Sequence, residues 1–287
     1  MQNRVLLGSH VSVRGGLHTA FERGMRIGCA TMQVFVKNSN QWEGKPLTAE
    51  DIENYKTARA KASIDPVVAH ASYLINLCAV NPAVLRRSRE ALEDELRRCE
   101  ALGMAGLIVH PGAHMGAGEA AGVERVAESI ARVHDRTPGF RTLTVLETTA
   151  GGGTALGHRF EQLQSIMELV AERSRMAVCA DTCHLYAAGY PVDTEAGWER
   201  TMRELDETIG LDRLLAFHVN DSKRERGSRV DRHEHIGRGR IGTTCFRMLM
   251  NDPRMASIPK ILETDKSEDL HEDVENMRML LSLVGGA

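Results

Sequence analysis

Apolar runs of four to six residues alternate with longer amphipathic stretches along the whole chain, and nearly every run closes on a polar residue. Residues 5–9 end at His10, and Gly15-Gly16 then leads into Leu17, Ala20, Phe21 and Met25 at helical spacing, which predicts a strand followed by a helix. The unit repeats. Residues 31–36 predict a second strand; after a polar loop at 37–45, Thr48 with Asp51 three positions on resembles a capping box and opens a helix. A third strand at 66–69 ends at His70. Asn81-Pro82 then supplies an N-cap and a first-turn proline for a long helix with Leu85, Leu92, Leu96 and Cys99 inward, closed by Gly103. Residues 106–109 end at His110, before a helix with Val123, Val126, Ile130 and Val133 on one face. Residues 143–146 end at Glu147, before the glycines at 151–153 and a helix bearing Phe160, Leu163, Met167 and Val170. The sixth run, 176–180, ends at Asp181, and its helix carries Trp198, Met202, Leu205 and Ile209. The seventh, 214–219, holds His218 and passes through a basic loop to a short helix around 246–250. The eighth, 258–262, ends at Glu263 before a last helix with Val274, Met277, Leu281 and Val284.

Strands this continuously apolar suit a parallel sheet covered by helices, and eight successive units suit a closed (β/α)8 TIM barrel occupying one domain, 1–287. An open doubly wound sheet is the alternative, but Gly15-Gly16 is a weak phosphate loop, and the glycines at 151–153 do not fit G-x-x-x-x-G-K-S/T. With 42% hydrophobic and 26% charged residues, disorder is not the default. Six cysteines without a CxxC pair fit reduced, buried thiols, and no signal-peptide pattern or run of eighteen apolar residues occurs. The expectation is a cytoplasmic protein with no membrane partner. A net charge of −3 argues against a generally basic nucleic-acid coat while leaving room for a local patch or for bound cations.

The polar residues at the strand ends carry the candidate chemistry. Singly, each has a structural explanation: a histidine closing a strand is usually hydrogen-bonded, and a carboxylate there often caps the next helix. Together, His70, His110, Glu147, Asp181, His218 and Glu263 end the third to eighth strands, and a barrel points those ends into one mouth. Three carboxylates buried together repel one another unless cations are present. Imidazole mixed with carboxylate, without thiolate, suits Zn2+, with Mn2+ or Fe2+ as alternatives, rather than Ca2+ or Mg2+. His184 and the pair Asp231-x-His233 extend the set to nine donors, enough for more than one ion.

Residues 217–235 interleave these donors with Lys223, Arg224, Arg226, Arg229 and Arg232. A basic loop alone is most often a solvated surface. Beside metal ligands, the same charges suit phosphate.

Three segments in this chain, H-A-S-Y-L-I-N-L from His70, V-C-A-D-T-C-H from Val178 and the stretch from Phe217 to His233, resemble the signature regions of endonuclease IV, the zinc-dependent apurinic/apyrimidinic endonuclease. With G-S-H-V-S from Gly8 and L-E-T from Leu262, the resemblance covers essentially the full chain. It implies a TIM barrel holding three zinc ions. His70, His110 and Glu147 would hold one; Glu147 would bridge to a second that also takes Asp181, His218 and Glu263; His184, Asp231 and His233 would hold the third. It implies hydrolysis of the phosphodiester 5′ to abasic sites in duplex DNA, leaving a 3′-hydroxyl and a 5′-deoxyribose phosphate, with 3′-end phosphodiesterase activity besides. Glu263 would orient or deprotonate the attacking water, with Glu147 as its catalytic partner. Tyr73 and Leu74 match a loop that enters the minor groove, Lys223, Arg226, Arg229 and Arg232 are expected on DNA, and the protein is expected to be a monomer. Two residues depart from the family pattern: Asn40 stands where better-known members carry an arginine that fills the gap in the base stack, and Thr148 where an asparagine commonly follows the bridging glutamate. The rivals are a metal-dependent sugar isomerase or epimerase, which needs neither Asp231-x-His233 nor the arginines, and a catalytically dead nucleic-acid-binding barrel.

Overall fold

A computed structural model describes residues 5–285 of the chain; the outermost positions of the expected 1–287 domain lie outside the described residues. Its strands are β1 (Leu7–His10), β2 (Thr31–Phe35), β3 (Val67–His70), β4 (Gly106–Val109), β5 (Leu143–Glu147), β6 (Met176–Asp181), β7 (Leu214–His218), β8 (Asp221–Ser222), β9 (His233–Glu234) and β10 (Lys260–Leu262). Eight of them, β1 to β7 and β10, close into a parallel barrel in the order β1-β10-β7-β6-β5-β4-β3-β2. β8 and β9 pair antiparallel in a short ribbon inside what the sequence predicts as an unstructured loop. The expected fold class is the one observed.

The two-residue period of a strand sorts each side chain to the barrel interior or to the helical layer. Val68, Ile108, Val145, Cys179, Ala216 and Ile261 form one compact interior cluster, while Val67, Ala69, Leu107, Leu146, Val178 and Phe217 belong to the layer shared with the helices. Two residues beyond each interior plug stands His70, His110, Glu147, Asp181, His218 or Glu263. The same alternation that fills the barrel therefore aims all six at its mouth. In β7 the alternation is interrupted: the pairing shifts register so that Leu215 is skipped, and Ala216 and His218 then pair with Cys179 and Asp181. β1 and β2 approach so closely that a Cβ at Gly8 would lie 1.8 Å from the carbonyl oxygen of Thr31, which only glycine avoids.

The helices follow from the predicted caps. Thr48 and Asp51 form the reciprocal capping box, Asn81 caps Ala83 and Val84, and Gly103 closes its helix in the left-handed region. Three details differ from the sequence expectation. The stretch after β6 forms two helices, Thr182–Ala188 and Glu195–Thr208, because Gly189 stops the first. The eighth barrel strand starts at Lys260, since Pro253–Met255 forms a 3-10 turn before it. Met25, Leu281 and Val284 are exposed: the first two sit at the edge of a helix's apolar stripe, where spacing alone does not separate core from rim, and Val284 lies past the last helix, which ends at Ser282. All six cysteines are buried thiols outside any disulfide, and no helix among the described residues is long and apolar enough to cross a membrane.

Candidate metal centre

The nine predicted donors gather into three groups whose ligand atoms lie within 4.8 Å of one another: His70, His110 and Glu147; Glu147, Asp181, His218 and Glu263; and His184, Asp231 and His233. Glu147 belongs to two of them. Its side chain is fully buried, with Oε2 3.1 Å from Nε2 of both His70 and His110, and Oε1 2.8 Å from Nδ1 of His218. Oε2 of Glu263 lies 3.1 Å from the same Nδ1. In the third group Nε2 of His184 lies 3.1 Å from Oδ2 of Asp231, and Nε2 of His233 lies 3.3 Å from Oδ1.

Backbone carbonyls fix how the rings are presented. Nδ1 of His70 donates to the carbonyl of Ala71 at 2.7 Å, Nδ1 of His184 to that of Thr148 at 2.7 Å, and Nδ1 of His233 to that of Glu263 at 3.3 Å. With a proton committed to each Nδ1, Nε2 is the nitrogen left facing the carboxylates. The buried Nε2 atoms of His184 and His233 make no hydrogen bond. A nitrogen lone pair aimed at a carboxylate oxygen is repulsive unless a proton or a cation lies between them, so this donor set fits divalent ions.

The electrostatics agree. Burial opposes a charged ring at His184, but Asp181, Asp231 and Glu147 outweigh it and hold its pKa well above the ordinary range. Burial likewise opposes charge on His233, and Asp181 with Asp231 raises it to about 9. Burial alone would push Glu147 and Asp231 up; His218 and His110 hold Glu147 well below the carboxylate range, and His184 and His233 do so for Asp231. Each carboxylate thus awaits positive charge, and bound cations displace the ring protons that otherwise supply it.

Asp181 is steered from both sides. Its backbone N–H donates to Oγ1 of Thr148 at 2.9 Å, and Nδ2 of Asn220 donates to Oδ2 at 2.7 Å. Thr148, the departure noted after the bridging glutamate, therefore supports two donors, through its hydroxyl and its carbonyl. Asn220 also accepts from the N–H of Glu263 at 2.9 Å.

Sequence reasoning left out Gln33, His10 and Asn220. Gln33 is fully buried in β2, and His10 ends β1 with Nδ1 3.4 Å from Oε1 of Glu263. A glutamine inside an apolar strand was the available signal. Cys183, expected as a spectator, has its sulfur within reach of the donors of Asp181 and His233. His235 lies outside the three groups and meets Nδ2 of Asn276 at 3.0 Å. A further grouping, Asp269, His271 and Glu272, is largely exposed and shares no residue with them.

The predicted DNA contacts sit on the loops around this mouth. Asn40 follows β2, Tyr73 and Leu74 follow β3, and Tyr73 is 61% exposed. Lys223, Arg226, Arg229 and Arg232 are all exposed between β8 and β9, and Arg229 adopts a left-handed backbone with φ 56°. Tyr73, His110, His184, Arg229 and Asp231 line one side of a cavity of about 380 Å³.

The family model described as Xylose isomerase-like TIM barrel matches residues 21–282. A relative from Chloroflexus aurantiacus named "Probable endonuclease 4" is 49% identical over 280 residues, covering 98% of this chain and 98% of that protein. The crystal structure of endonuclease IV from Thermus thermophilus superposes with a TM-score of 0.85 at 34% identity, covering 96% of this chain and 98% of that one. A D-tagatose 3-epimerase-like protein, 17% identical with a TM-score of 0.72 over 96% and 98% of the two chains, shares the fold alone.

Proposed function

Because the chain belongs to the endonuclease IV family, we propose that it hydrolyses the phosphodiester 5′ to abasic sites in duplex DNA, leaving a 3′-hydroxyl and a 5′-deoxyribose phosphate. A 3′-end phosphodiesterase activity accompanies it. The observation that carries this reading is Glu147 shared between two donor groups, with the third group of His184, Asp231 and His233 placed beside an arginine-rich loop. A neutral sugar calls for neither the third group nor the arginines, and this is what favours a nuclease over an isomerase.

The nine donors hold three zinc ions in this reading. Zinc bound there supplies Lewis acidity toward the phosphate oxygens and an activated water. The chain supplies the rest. Glu147 divides its two oxygens between neighbouring donor groups and so fixes their spacing. Glu263, largely covered beyond the eighth barrel strand, orients the attacking water and takes its proton, with Oε1 tied back to Gln33 and Oε2 left among the donors beside His218. Tyr73 and Leu74 enter the minor groove where the missing base has already reduced the cost of unstacking. Lys223, Arg226, Arg229 and Arg232 hold backbone phosphates, with Asn40 at the opposite loop. The protein acts as a cytoplasmic monomer of one domain.

The test is a metal-dependent incision assay on a duplex containing one abasic analogue, with both product ends identified. A 3′-hydroxyl and a 5′-deoxyribose phosphate are expected. Turnover of a ketose with an intact duplex would replace this reading by the isomerase.

A further inference from the structure

Gln33 lies in β2 with its side chain turned into the barrel, and it is wholly inaccessible to solvent. A buried primary amide is costly unless its groups are satisfied, and here the oxygen and both N–H groups have partners. Nε2 lies 2.6 Å from Oε1 of Glu263 and 2.9 Å from Nδ1 of His10, and Oε1 lies 2.8 Å from Nε2 of His218.

These contacts settle the orientation of the amide and of the His218 ring. A carboxylate only accepts, so the atom facing Glu263 is the amide nitrogen and the atom facing His218 is the amide oxygen. That oxygen also only accepts, so Nε2 of His218 carries the proton. Nδ1 of His218, 2.8 Å from Oε1 of Glu147 and 3.1 Å from Oε2 of Glu263, is thereby the nitrogen whose proton a cation can displace. His218 is then presented the opposite way round from His70, His184 and His233, whose Nδ1 protons go to backbone carbonyls. No backbone carbonyl serves His218 in that way among the described residues; a side chain from β2, across the barrel, does it instead.

We infer that Gln33 is the positioning residue of the second metal site. It selects Nδ1 of His218 as the ligating nitrogen, and by holding Oε1 of Glu263 it turns Oε2 of that residue toward the same ion. This rests on the reading that Glu147, Asp181, His218 and Glu263 share a cation. Outer hydrogen bonds of this kind, once removed, typically lower metal affinity by about 10- to 100-fold.

The experiment uses the zinc-loaded full chain and two variants, Gln33→Leu and Asp181→Asn. Zinc affinities are measured by competition with a chromophoric chelator, and histidine tautomers by 15N-detected NMR, with the His218 signal assigned from its loss in His218→Asn. In the wild-type protein His218 is expected with a proton on Nε2 and metal on Nδ1. Gln33→Leu is expected to weaken one ion by about 10- to 100-fold, leaving the others and the barrel's circular dichroism unchanged. Asp181→Asn, which removes a donor of that ion, is expected to lose it. If Asp181→Asn loses the ion and Gln33→Leu does not weaken it, the role of Gln33 fails and the site stands. If Asp181→Asn also retains every ion, the site itself fails. Should Gln33→Leu not fold, the wild-type spectrum decides, and a proton on Nδ1 of His218 overturns the inference.

Discussion

Nζ of Lys37 lies 3.0 Å from Oε1 of Glu95 with both side chains buried, and this ion pair holds two mouth loops together. Lys37 also donates to the carbonyls of Gln41 and Trp42 at 3.0 and 2.7 Å, and Glu95 accepts from the N–H of Ser72 at 3.1 Å. Oγ of Ser72 closes the ring on the carbonyl of Ser39 at 2.6 Å. The helix Pro82–Leu102 thus anchors the loop bearing Asn40 and the loop bearing Tyr73 and Leu74 through a single carboxylate.

Replacing Glu95 by Gln leaves the Lys37 ammonium buried without a counter-charge, which typically costs about 3–5 kcal/mol. Urea unfolding should register that loss, and affinity for an abasic duplex should fall while zinc content stays the same. A double variant, Lys37→Met with Glu95→Leu, should regain much of the stability without the affinity. Full affinity in that double variant would separate the ion pair from the loops.

Four buried or half-buried carboxylates, Glu147, Asp181, Asp231 and Glu263, converge on the mouth, so metal removal should destabilise the whole barrel rather than only silence it. Elemental analysis is expected to give about three zinc ions per chain. Chelation should lower the melting temperature and abolish incision, with zinc or manganese restoring both and magnesium neither. A melting temperature indifferent to chelation would mean the carboxylates are neutralised by protons alone.

Glu263→Gln keeps the shape of the side chain and its acceptor for Gln33 while removing the charge. Incision should drop at least 10²-fold, the lower end for general acid–base catalysis, with duplex binding largely retained in a gel-shift titration. Unaltered turnover would take Glu263 off the catalytic path.

Away from the mouth, His134 sets part of the acid sensitivity of the fold. It is buried, Nε2 meets Oγ1 of Thr144 at 2.9 Å, and burial together with the nearby Arg175 guanidinium lowers its pKa from 6.5 to about 4. The unfolded ring takes up a proton near pH 6.5 and the folded one only near 4, so the unfolded state binds more protons between those values. Stability is therefore complete above that window and is lost as pH falls through it, by on the order of 3 kcal/mol. His134→Gln should flatten the melting temperature between pH 4 and 6.5 relative to wild type; parallel curves would locate the acid sensitivity elsewhere.

The barrel and its mouth were legible because one periodicity wrote both. Val68 and His70, or Ile261 and Glu263, are two positions apart on one face of a strand, so placing the apolar strand also places the donor at its end. His184, Asp231 and His233 were legible through motif spacing instead. Gln33, Thr148, Asn220 and the pairing of Lys37 with Glu95 were not, because each acts across the barrel or between loops. Gln33 and His218 are 185 residues apart, and nothing local in β2 says which side chain its amide will meet. The short β8–β9 ribbon was hidden for a related reason: two-residue strands rich in charge carry no hydrophobic alternation.

The basic loop gives the last prediction, because its arginines are not equivalent. Arg226 is paired with Asp193 at 2.9 Å and Lys223 with Asp265 at 3.3 Å, whereas Arg229 has no carboxylate partner among the described residues. Its backbone is instead held by an N–H to the carbonyl of Ala187 at 2.9 Å, in a left-handed conformation that an arginine adopts only under constraint. A free, positioned cation at the mouth is available to a phosphate at no cost in broken ion pairs. Arg229→Ala should therefore weaken binding to every duplex and reduce the slope of log affinity against log salt by about 0.9, the value for one phosphate contact. Arg226→Ala should change the slope less, since part of its charge is already spent on Asp193. Equal slopes in wild type and Arg229→Ala would return that residue to an ordinary solvated loop, and a larger change at Arg226 would show that its pair with Asp193 opens on DNA.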